Sequence, residues 1–277
     1  MPESPTTPIF IGGLYKSGTS LLRAMLGQHA NIAAGLETNW FEVDWAAGLG
    51  RGGEPLADYV GRCGGFFGLE PGQAADLARA SADVVAFVNG LLGGHAARLG
   101  KRRWAEKTPG NILHVGRIRE AWPGARILHI VRDPRDVFAS LRQAGKWDSI
   151  AEFSERWCAF LGAAAALTGS DLLELRYEDL VADPKATMAW VLEHLDEPWQ
   201  PEVARFAGQA EDYERVLAAT GKASTTLERL GEPLSERRVG IWRGLIAADE
   251  LAGLRAAAAT HGLGGLYDRI VSQTPDG

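Results

Sequence analysis

A glycine-rich loop near the amino terminus carries the residues best suited to bind a phosphate. Residues 13–20 read GLYKSGTS, which keeps the glycine spacing and the final hydroxyl of the loop that binds nucleoside triphosphates. In that loop a lysine follows the second glycine and reaches the β- and γ-phosphates. Here Thr19 takes that position, and the lysine, Lys16, lies inside the loop. The pattern predicts a phosphate cradle for a nucleotide that carries something other than a γ-phosphate.

The backbone of this loop is expected to do much of the binding. Successive N–H groups and the positive end of the following helix form an anion site, here contributed by Lys16, Ser17, Gly18, Thr19 and Ser20. The alternative is an ordinary glycine turn with a solvated lysine. An apolar run before the loop and helical spacing after it favour phosphate binding, because a phosphate loop joins a strand to a helix.

A second candidate phosphate contact follows a strongly apolar segment. The segment RILHIV, at 126–131, predicts a buried strand that ends at Arg132. Ligands of open α/β sheets bind at the carboxyl ends of strands, and a guanidinium binds phosphate oxygens bidentately. Ser140, in the next predicted helix, has a spacing that would bring its hydroxyl near Arg132. Asp133 is expected to cap that helix and Arg135 to be solvated, which leaves Arg132 free for a ligand.

These two segments together resemble the sulfotransferases that use 3'-phosphoadenosine 5'-phosphosulfate (PAPS). Three further segments extend the likeness over residues 9 to about 245, namely 104–111 (WAEKTPGN), 176–184 (RYEDLVADP) and 237–243 (RRVGIWR). In that family the loop holds the 5'-phosphosulfate, and an arginine and a serine hold the 3'-phosphate, which implies these roles for Arg132 and Ser140. The resemblance also places Tyr177 near the nucleotide, and Arg238 and Trp242 in the segment that closes over it.

The resemblance implies transfer of a sulfuryl group from PAPS to a hydroxyl by in-line displacement, without a metal, leaving 3',5'-bisphosphoadenosine (PAP). Lys16 would then stabilise charge that develops on the bridging oxygen as the sulfuryl group leaves. Lys107 is a second cation that could touch the transferring group. Its alternative is an ordinary surface ion pair with Glu106.

The general base is predicted from the same resemblance. The phenol-type enzymes have a histidine directly after Lys-Thr, where this chain has Pro109. Another branch, which includes the protein-tyrosine sulfotransferases, uses a glutamate shortly after the first helix, and Glu37 lies at the matching position. Glu37 is therefore the predicted base, with Glu42 and Asp44 as substitutes, and a solvated loop carboxylate as the alternative.

Other features of the acceptor side stay open in the sequence. Related enzymes place a hydroxyl near the sulfuryl group in the region of Ser224, Thr225 and Thr226, without indicating which. The resemblance implies a small-molecule or peptide hydroxyl as the acceptor. Aromatic residues of the irregular segment 35–72 could line its pocket or fill the core, namely Trp40, Phe41, Trp45, Phe66 and Phe67. A phosphate-loop kinase and a non-catalytic nucleotide-binding protein are the alternative functions.

Composition limits the classes of binding partner and the cellular compartment to be expected. A net charge of -6 argues against broad nucleic-acid binding. The 2 cysteines do not suggest a disulfide framework, and the histidines lack metal-ligand spacing. The chain has no apolar run of about 20 residues, and residues 1–8 lack the features of a signal peptide. We therefore expect a cytoplasmic protein without a metal or a membrane segment.

The order of predicted elements indicates the fold class. Strands alternate with helices, which predicts an α/β fold of three layers, α/β/α, with a central parallel sheet like that of phosphate-loop proteins. Helices are predicted over 71–99, with a break near Gly93 and Gly94, and a last helix over 248–261. No linker or repeat divides the chain, so one domain over residues 1–277 is expected.

Overall fold

A parallel five-stranded sheet lies at the centre of the computed structural model, which describes residues 6–206, 214, 217 and 230–273. Its strands are β1 (Ile9–Gly12), β2 (Ile32–Ala34), β3 (Arg103–Lys107), β4 (Arg126–Val131) and β5 (Leu172–Arg176), in the order β2-β3-β1-β4-β5. All four strand pairings are parallel. The predicted α/β class with a parallel central sheet is confirmed.

Helices connect the strands and flank the sheet. They are α1 (Thr19–Leu26), α2 (Leu56–Phe66), α3 (Pro71–Ala80), α4 (Val84–Arg98), α5 (Val115–Ala121), α6 (Pro134–Gln143), α7 (Ile150–Ala165), α8 (Tyr177–Ala182), α9 (Pro184–His194), α10 (Ala248–Thr260) and α11 (Gly264–Ser272). Within the described residues, no helix is long and apolar enough to cross a membrane.

The central strands are buried on both faces, which is why their sequences are apolar without alternation. Every residue of β1 is buried, and so is every residue of β4 after the first. Because successive side chains of a strand point to opposite faces, continuous burial requires a cover on both sides of the sheet.

The strand order places a switch point at β1. The chain runs from β1 to the strands on one side, and then to β4 on the other side. In open α/β sheets ligands bind beside such a point, at the carboxyl ends of the strands. The glycine loop follows β1 and Arg132 follows β4, so the fold brings the two predicted phosphate contacts to one crevice.

The opposite, amino-terminal end of β3 is closed by a buried ion pair. Arg103 donates to the carboxylate of Glu197 over 3.3 Å and to the carbonyl of Leu195 over 2.6 Å. Glu197 also accepts a hydrogen bond of 2.9 Å from the amide of Asn31. Both charged side chains are fully buried, so this end of the strand is fixed far from the crevice.

Some predicted boundaries were wrong. The break in the region 71–99 lies between α3 and α4, at residues 81–83, because Asp83 caps α4 by accepting the N–H of Ala86 over 2.7 Å. Gly93 and Gly94 lie inside α4. The strand β2 and the helix α11 were not predicted, and β3 continues through Lys107 where the sequence indicated a polar turn.

Candidate active site

The glycine loop wraps over the carboxyl end of β1 in a conformation that only certain residues adopt easily. Lys16 has φ 68°, Gly13 φ 148° and Gly18 φ 101°. A Cβ atom at Gly18 would lie 2.5 Å from the ring of Tyr177. A glycine is therefore needed there both for its positive φ and for lack of space. No side chain caps the N-terminus of α1, and N–H groups at an uncapped helix start are anion donors. The loop therefore has the form of a phosphate cradle.

Arg132 lies at the end of β4 against this loop. It is buried, donates to the carbonyl of Lys16 over 2.9 Å, and also donates to the carbonyl of Arg238. Its guanidinium carbon lies 4.4 Å from the centre of the Tyr177 ring. Both terminal nitrogens of Arg132 thus have a carbonyl partner, and each keeps a second N–H for a further acceptor. Its Nε is buried and finds no hydrogen-bond partner in the described part of the chain.

Ser140 and Arg132 are linked through Arg238. The guanidinium of Arg238 donates to the Ser140 hydroxyl over 3.2 Å, while the Arg238 carbonyl accepts from Arg132. Arg238 therefore contacts both of the residues that the spacing argument expected to lie near each other. Three predicted nucleotide contacts thus converge on one place.

The segment that carries Arg238 is anchored to α6. We call residues 236–246 the strap. Asp136 of α6 is completely buried and accepts the N–H groups of Gly240 and Trp242 over 2.7 and 3.0 Å. Burial raises the pKa of Asp136, and the nearby charge of Arg132 and these two hydrogen bonds oppose that shift.

Arg135, on the same helix, also contacts the strap. Asp133 caps α6 as predicted, but Arg135 is not solvated. It forms an ion pair with Asp133 over 2.6 Å, and its guanidinium carbon lies 4.3 Å from the centre of the Trp242 ring. The indole N–H of Trp242 is buried without a partner among the described residues.

Glu37 and Lys107 meet at the carboxyl end of β3. The Lys107 ammonium donates to Oε1 of Glu37. Its side chain is 3% exposed and that of Glu37 is 35% exposed. The alternative pairing of Lys107 with Glu106 was wrong, because neighbouring residues of a strand point to opposite faces. Lys107 lies on the face of the sheet that Glu37 reaches.

Glu106 points the other way, into a buried cluster that sequence reasoning missed. Its carboxylate accepts the N–H and the hydroxyl of Thr38, both over 2.9 Å. It also accepts the Thr108 hydroxyl and the Asn111 amide, both over 2.6 Å. The available signal was a carboxylate inside an otherwise apolar strand, since a buried charge needs hydrogen-bond partners.

The substitutes for the base have other partners. Glu42 accepts from Arg51 over 3.2 Å, and Asp44 accepts the backbone N–H of Ala47 over 3.0 Å. Neither contact involves a buried cation. Of these three carboxylates, Glu37 is the one that forms an ion pair with the buried Lys107.

The aromatic residues of the segment 35–72 differ in their burial. Trp40 and Phe67 are buried, and the indole N–H of Trp40 donates to Oδ1 of the Asn111 side chain over 3.2 Å. Phe41 is only partly buried and stacks on His114 with ring centres 4.1 Å apart. Phe41 also covers Gly110, where a Cβ would lie 2.6 Å from its ring. Phe41 is therefore a better pocket candidate than Trp40 or Phe67.

On the loop side, Tyr15 packs 6.1 Å from Phe160, measured between ring centres. Burial raises the pKa of Tyr15, Arg51 opposes the rise, and Glu37 adds to it. Tyr15 thus shares the electrostatic surroundings of the predicted base.

The predicted hydroxyl residues near the sulfuryl group are not described by the structure, and no metal site was predicted. Ser224, Thr225 and Thr226 lie outside the described residues. Within the described ranges, no group of three or more His, Cys, Asp or Glu side chains could hold a metal ion.

Comparison with known proteins decides the family. A model described as the sulfotransferase family matches residues 8–201. The chain belongs to the sulfotransferase family. It is 24% identical to protein-tyrosine sulfotransferase A of Caenorhabditis elegans and 24% identical to a protein-tyrosine sulfotransferase of Drosophila melanogaster. These alignments cover 91% and 87% of this chain but only 66% and 48% of those relatives, so the chain spans less than two thirds of their length.

Solved structures of other sulfotransferases share the fold. The sulfotransferase domain of the Synechococcus PCC 7002 olefin synthase superposes with a TM-score of 0.67 at 18% identity, covering 93% of this chain and 95% of that one. The corresponding domain of the curacin biosynthetic pathway gives 0.64 at 16% identity, with coverage of 93% and 98%. A mouse sulfotransferase complexed with PAP gives 0.52 at 14% identity, with coverage of 98% and 90%.

Proposed function

We propose that this family member is a single-domain, PAPS-dependent sulfotransferase that acts on a hydroxyl of a small-molecule or peptide acceptor. The observation that carries the proposal is the Glu37–Lys107 pair beside a phosphate loop without the triphosphate lysine. Solved relatives with PAP support the donor, and relatives named protein-tyrosine sulfotransferase support a hydroxyl acceptor.

The residues around the crevice fit an anionic nucleotide. The N–H groups of residues 16–20 would hold the 5'-phosphosulfate, and Arg132, Ser140 and Arg238 the 3'-phosphate. Two buried donors, the Nε of Arg132 and the indole N–H of Trp242, lack acceptors among the described residues. Unpaired buried donors are costly, and a ligand rich in acceptor oxygens would satisfy such groups.

The chemistry divides between a base and two cations. PAPS supplies the activated sulfuryl group, whose bond to the 5'-phosphate breaks as the bond to the acceptor oxygen forms. Glu37 receives the proton of the acceptor hydroxyl, a role that accelerates a reaction by about 10²–10⁴-fold. Lys16 and Lys107 stabilise the negative charge that develops in the transition state, and loss of one such group costs about 10²–10³-fold.

The exposures of the pair suit this division of roles. Lys107 is shielded from water, so the electrostatic interaction of its charge with a neighbouring group is stronger than at an exposed site. Glu37 is 35% exposed, which lets an acceptor hydroxyl reach its carboxylate. We propose that Lys107 orients the base in the resting protein and contacts the transferring group during the reaction.

Calorimetry with three nucleotides tests the donor. PAP is expected to bind without magnesium, and adenosine 5'-phosphate, which lacks the 3'-phosphate, to bind at least about tenfold more weakly because one buried charged contact is lost. Equal binding of the two would contradict the Arg132–Ser140–Arg238 site. Tighter, magnesium-dependent binding of ATP would indicate a kinase instead.

A screen with labelled donor and acceptors tests turnover. Phenols, tyrosine peptides, sugars and lipid alcohols present the hydroxyl in different settings. Transfer to any of them supports an enzyme. Tight PAP binding with no transfer to any acceptor class would indicate a nucleotide-binding protein that has lost catalysis.

A further inference from the structure

Glu106 connects the two segments that carry Glu37 and Lys107. Its carboxylate is completely buried and accepts four hydrogen bonds, from the Thr38 N–H, the Thr38 hydroxyl, the Thr108 hydroxyl and the Asn111 amide. Thr38 follows Glu37 in the chain, and Lys107 follows Glu106. Each member of the proposed catalytic pair is therefore one residue away from the Glu106–Thr38 contact.

Further bonds tie these segments together. The Thr108 hydroxyl accepts the N–H of Asn39 over 3.2 Å, so its own hydrogen is available to Glu106. Asn39 has φ 51°, a left-handed conformation that turns the chain just after Thr38. Asn111 also donates to the carbonyl of Ile11 in β1 over 3.1 Å. The cluster thus joins the Glu37 turn, the end of β3 and the strand that leads into the phosphate loop.

The donors around Glu106 fit an ionised carboxylate. Backbone and amide N–H groups can only donate, and the Thr108 hydroxyl already uses its oxygen as an acceptor. Burial raises the pKa of Glu106, and the hydrogen bonds from Asn111, Thr108 and Thr38 oppose that shift. A glutamine at this position would turn an amide N–H towards groups that also donate.

We propose that Glu106 is a positioning residue for sulfuryl transfer, which sets the separation of Glu37 and Lys107 by fixing Thr38 and the end of β3. The inference rests on the proposed roles of that pair. A displacement of about 1 Å in a catalytic group can lower a rate by about 10²-fold. The contact between Lys107 and Glu37 spans two segments, and Glu106 accepts hydrogen bonds from Thr38 on one and from Thr108 on the other.

Glu106→Gln is the test, and Glu197→Gln is its matched control. Both are buried glutamates that accept hydrogen bonds, but Glu197 binds Arg103 at the amino end of β3, away from the crevice. Both variants are expected to lower Tm. Glu106→Gln is expected to lower kcat about 10²-fold with the acceptor KM and the PAP Kd within about threefold of wild type, and Glu197→Gln to leave all three within about twofold. A kcat loss no larger than that of the control would overturn the inference.

A double variant separates positioning from a general loss of stability. If Glu106 acts through Glu37, adding Glu106→Gln to Glu37→Gln is expected to lower kcat by less than threefold further, because effects on one catalytic unit are not additive. An independent further loss of about 10²-fold would count against the inference.

A second set of variants serves if Glu106→Gln does not fold. Thr38→Val removes one donor to Glu106, and Thr38→Ser keeps it. We expect a reduced kcat in the first and a nearly normal kcat in the second. Equal activities of the two would contradict the inference.

A structural readout keeps this inference distinct from the proposed function. Crystal structures of wild type and of either Glu106→Gln or Thr38→Val are expected to differ in the Glu37–Lys107 contact. An unchanged contact refutes the positioning role, whatever the activity. Absence of sulfuryl transfer by the wild type, with a displaced contact in the variant, refutes the proposed function but confirms that Glu106 sets the Glu37–Lys107 contact.

Discussion

Asp136 of α6 accepts two backbone N–H groups of the strap, and its replacement should weaken nucleotide binding although Asp136 is not itself a proposed nucleotide contact. The completely buried carboxylate accepts the N–H groups of Gly240 and Trp242 over 2.7 and 3.0 Å. The strap also carries Arg238, which donates to Ser140 and accepts from Arg132. Asp136→Ala leaves both strap N–H groups without their acceptor and removes one of the contacts that position the segment of Arg238.

The size of the effect follows from the bonds that are lost. A hydrogen bond to a charged group contributes about 1.5–3 kcal/mol, so the two bonds together contribute roughly 3–6 kcal/mol to holding the strap. If half of about 3 kcal/mol is lost from the free energy of PAP binding, PAP binds about tenfold more weakly. If all of it is lost, PAP binds about 100-fold more weakly. Asp136→Asn keeps one oxygen acceptor and should show about half of the free-energy change.

Calorimetry with PAP measures this directly, and limited trypsin digestion reports on the strap, which contains Arg237, Arg238 and Arg243. We expect weaker PAP binding and faster cleavage in the strap for Asp136→Ala. Asp171→Asn is the control, because Asp171 binds Arg119 at the start of β5 and touches neither the strap nor the loop. A Kd for PAP within twofold of wild type, with unchanged cleavage, would refute the anchoring role.

Three further predictions concern the loop and the pH dependence. Gly18 has φ 101°, and Gly18→Ala places a Cβ 2.5 Å from the Tyr177 ring. Calorimetry should therefore show an affinity for PAP lowered more than tenfold, and an unchanged affinity would contradict the loop geometry. Lys16→Ala is expected to lower kcat by about 10²–10³-fold with a smaller change in PAP affinity, and equal losses in both would assign Lys16 to binding alone. The hydrogen bond from Arg119 lowers the pKa of Asp171. The ionised Asp171 therefore stabilises the folded protein above the ordinary carboxyl pKa of about 3.9, and this stabilisation is lost as the pH falls through the lowered pKa. The Tm difference between wild type and Asp171→Asn should therefore be constant near pH 7 and shrink under acid, and a difference that grows under acid would contradict this assignment.

Local sequence pattern was sufficient to predict elements whose formation depends on the burial or the turn preferences of neighbouring residues. The strand predicted at 126–131 matches β4, because a strand buried on both faces leaves a continuous apolar run. The capping of α6 by Asp133 was also predicted and is confirmed. The glycine loop lies between a strand and a helix as expected, at the switch point of the sheet.

Contacts between distant segments could not be derived from spacing. Sequence reasoning offered the neighbouring Glu106 as the alternative partner of Lys107, but the pleat of β3 separates the two, and Lys107 contacts Glu37. Likewise, the spacing of Arg132 and Ser140 gave no sign that Arg238, far along the chain, would contact both of them. Tertiary packing decides such partners.

Short or weakly patterned elements were missed for a related reason. The three residues of β2 include two alanines, which have low β propensity, and the strand exists because it pairs with β3. The buried role of Trp40 depends on its bond to Asn111 and on packing against Phe10. Residues 35–54, before α2, therefore gave no regular signal in the sequence.

The central claim is that Glu37 removes the proton of an acceptor hydroxyl during sulfuryl transfer. Transfer of labelled sulfate from PAPS should be measured for wild type and Glu37→Gln with the best acceptor from the screen, together with the Kd for PAP. The account predicts a fall in turnover of about 10²–10⁴-fold with a PAP Kd within about threefold of wild type. Turnover by Glu37→Gln close to that of wild type would contradict it.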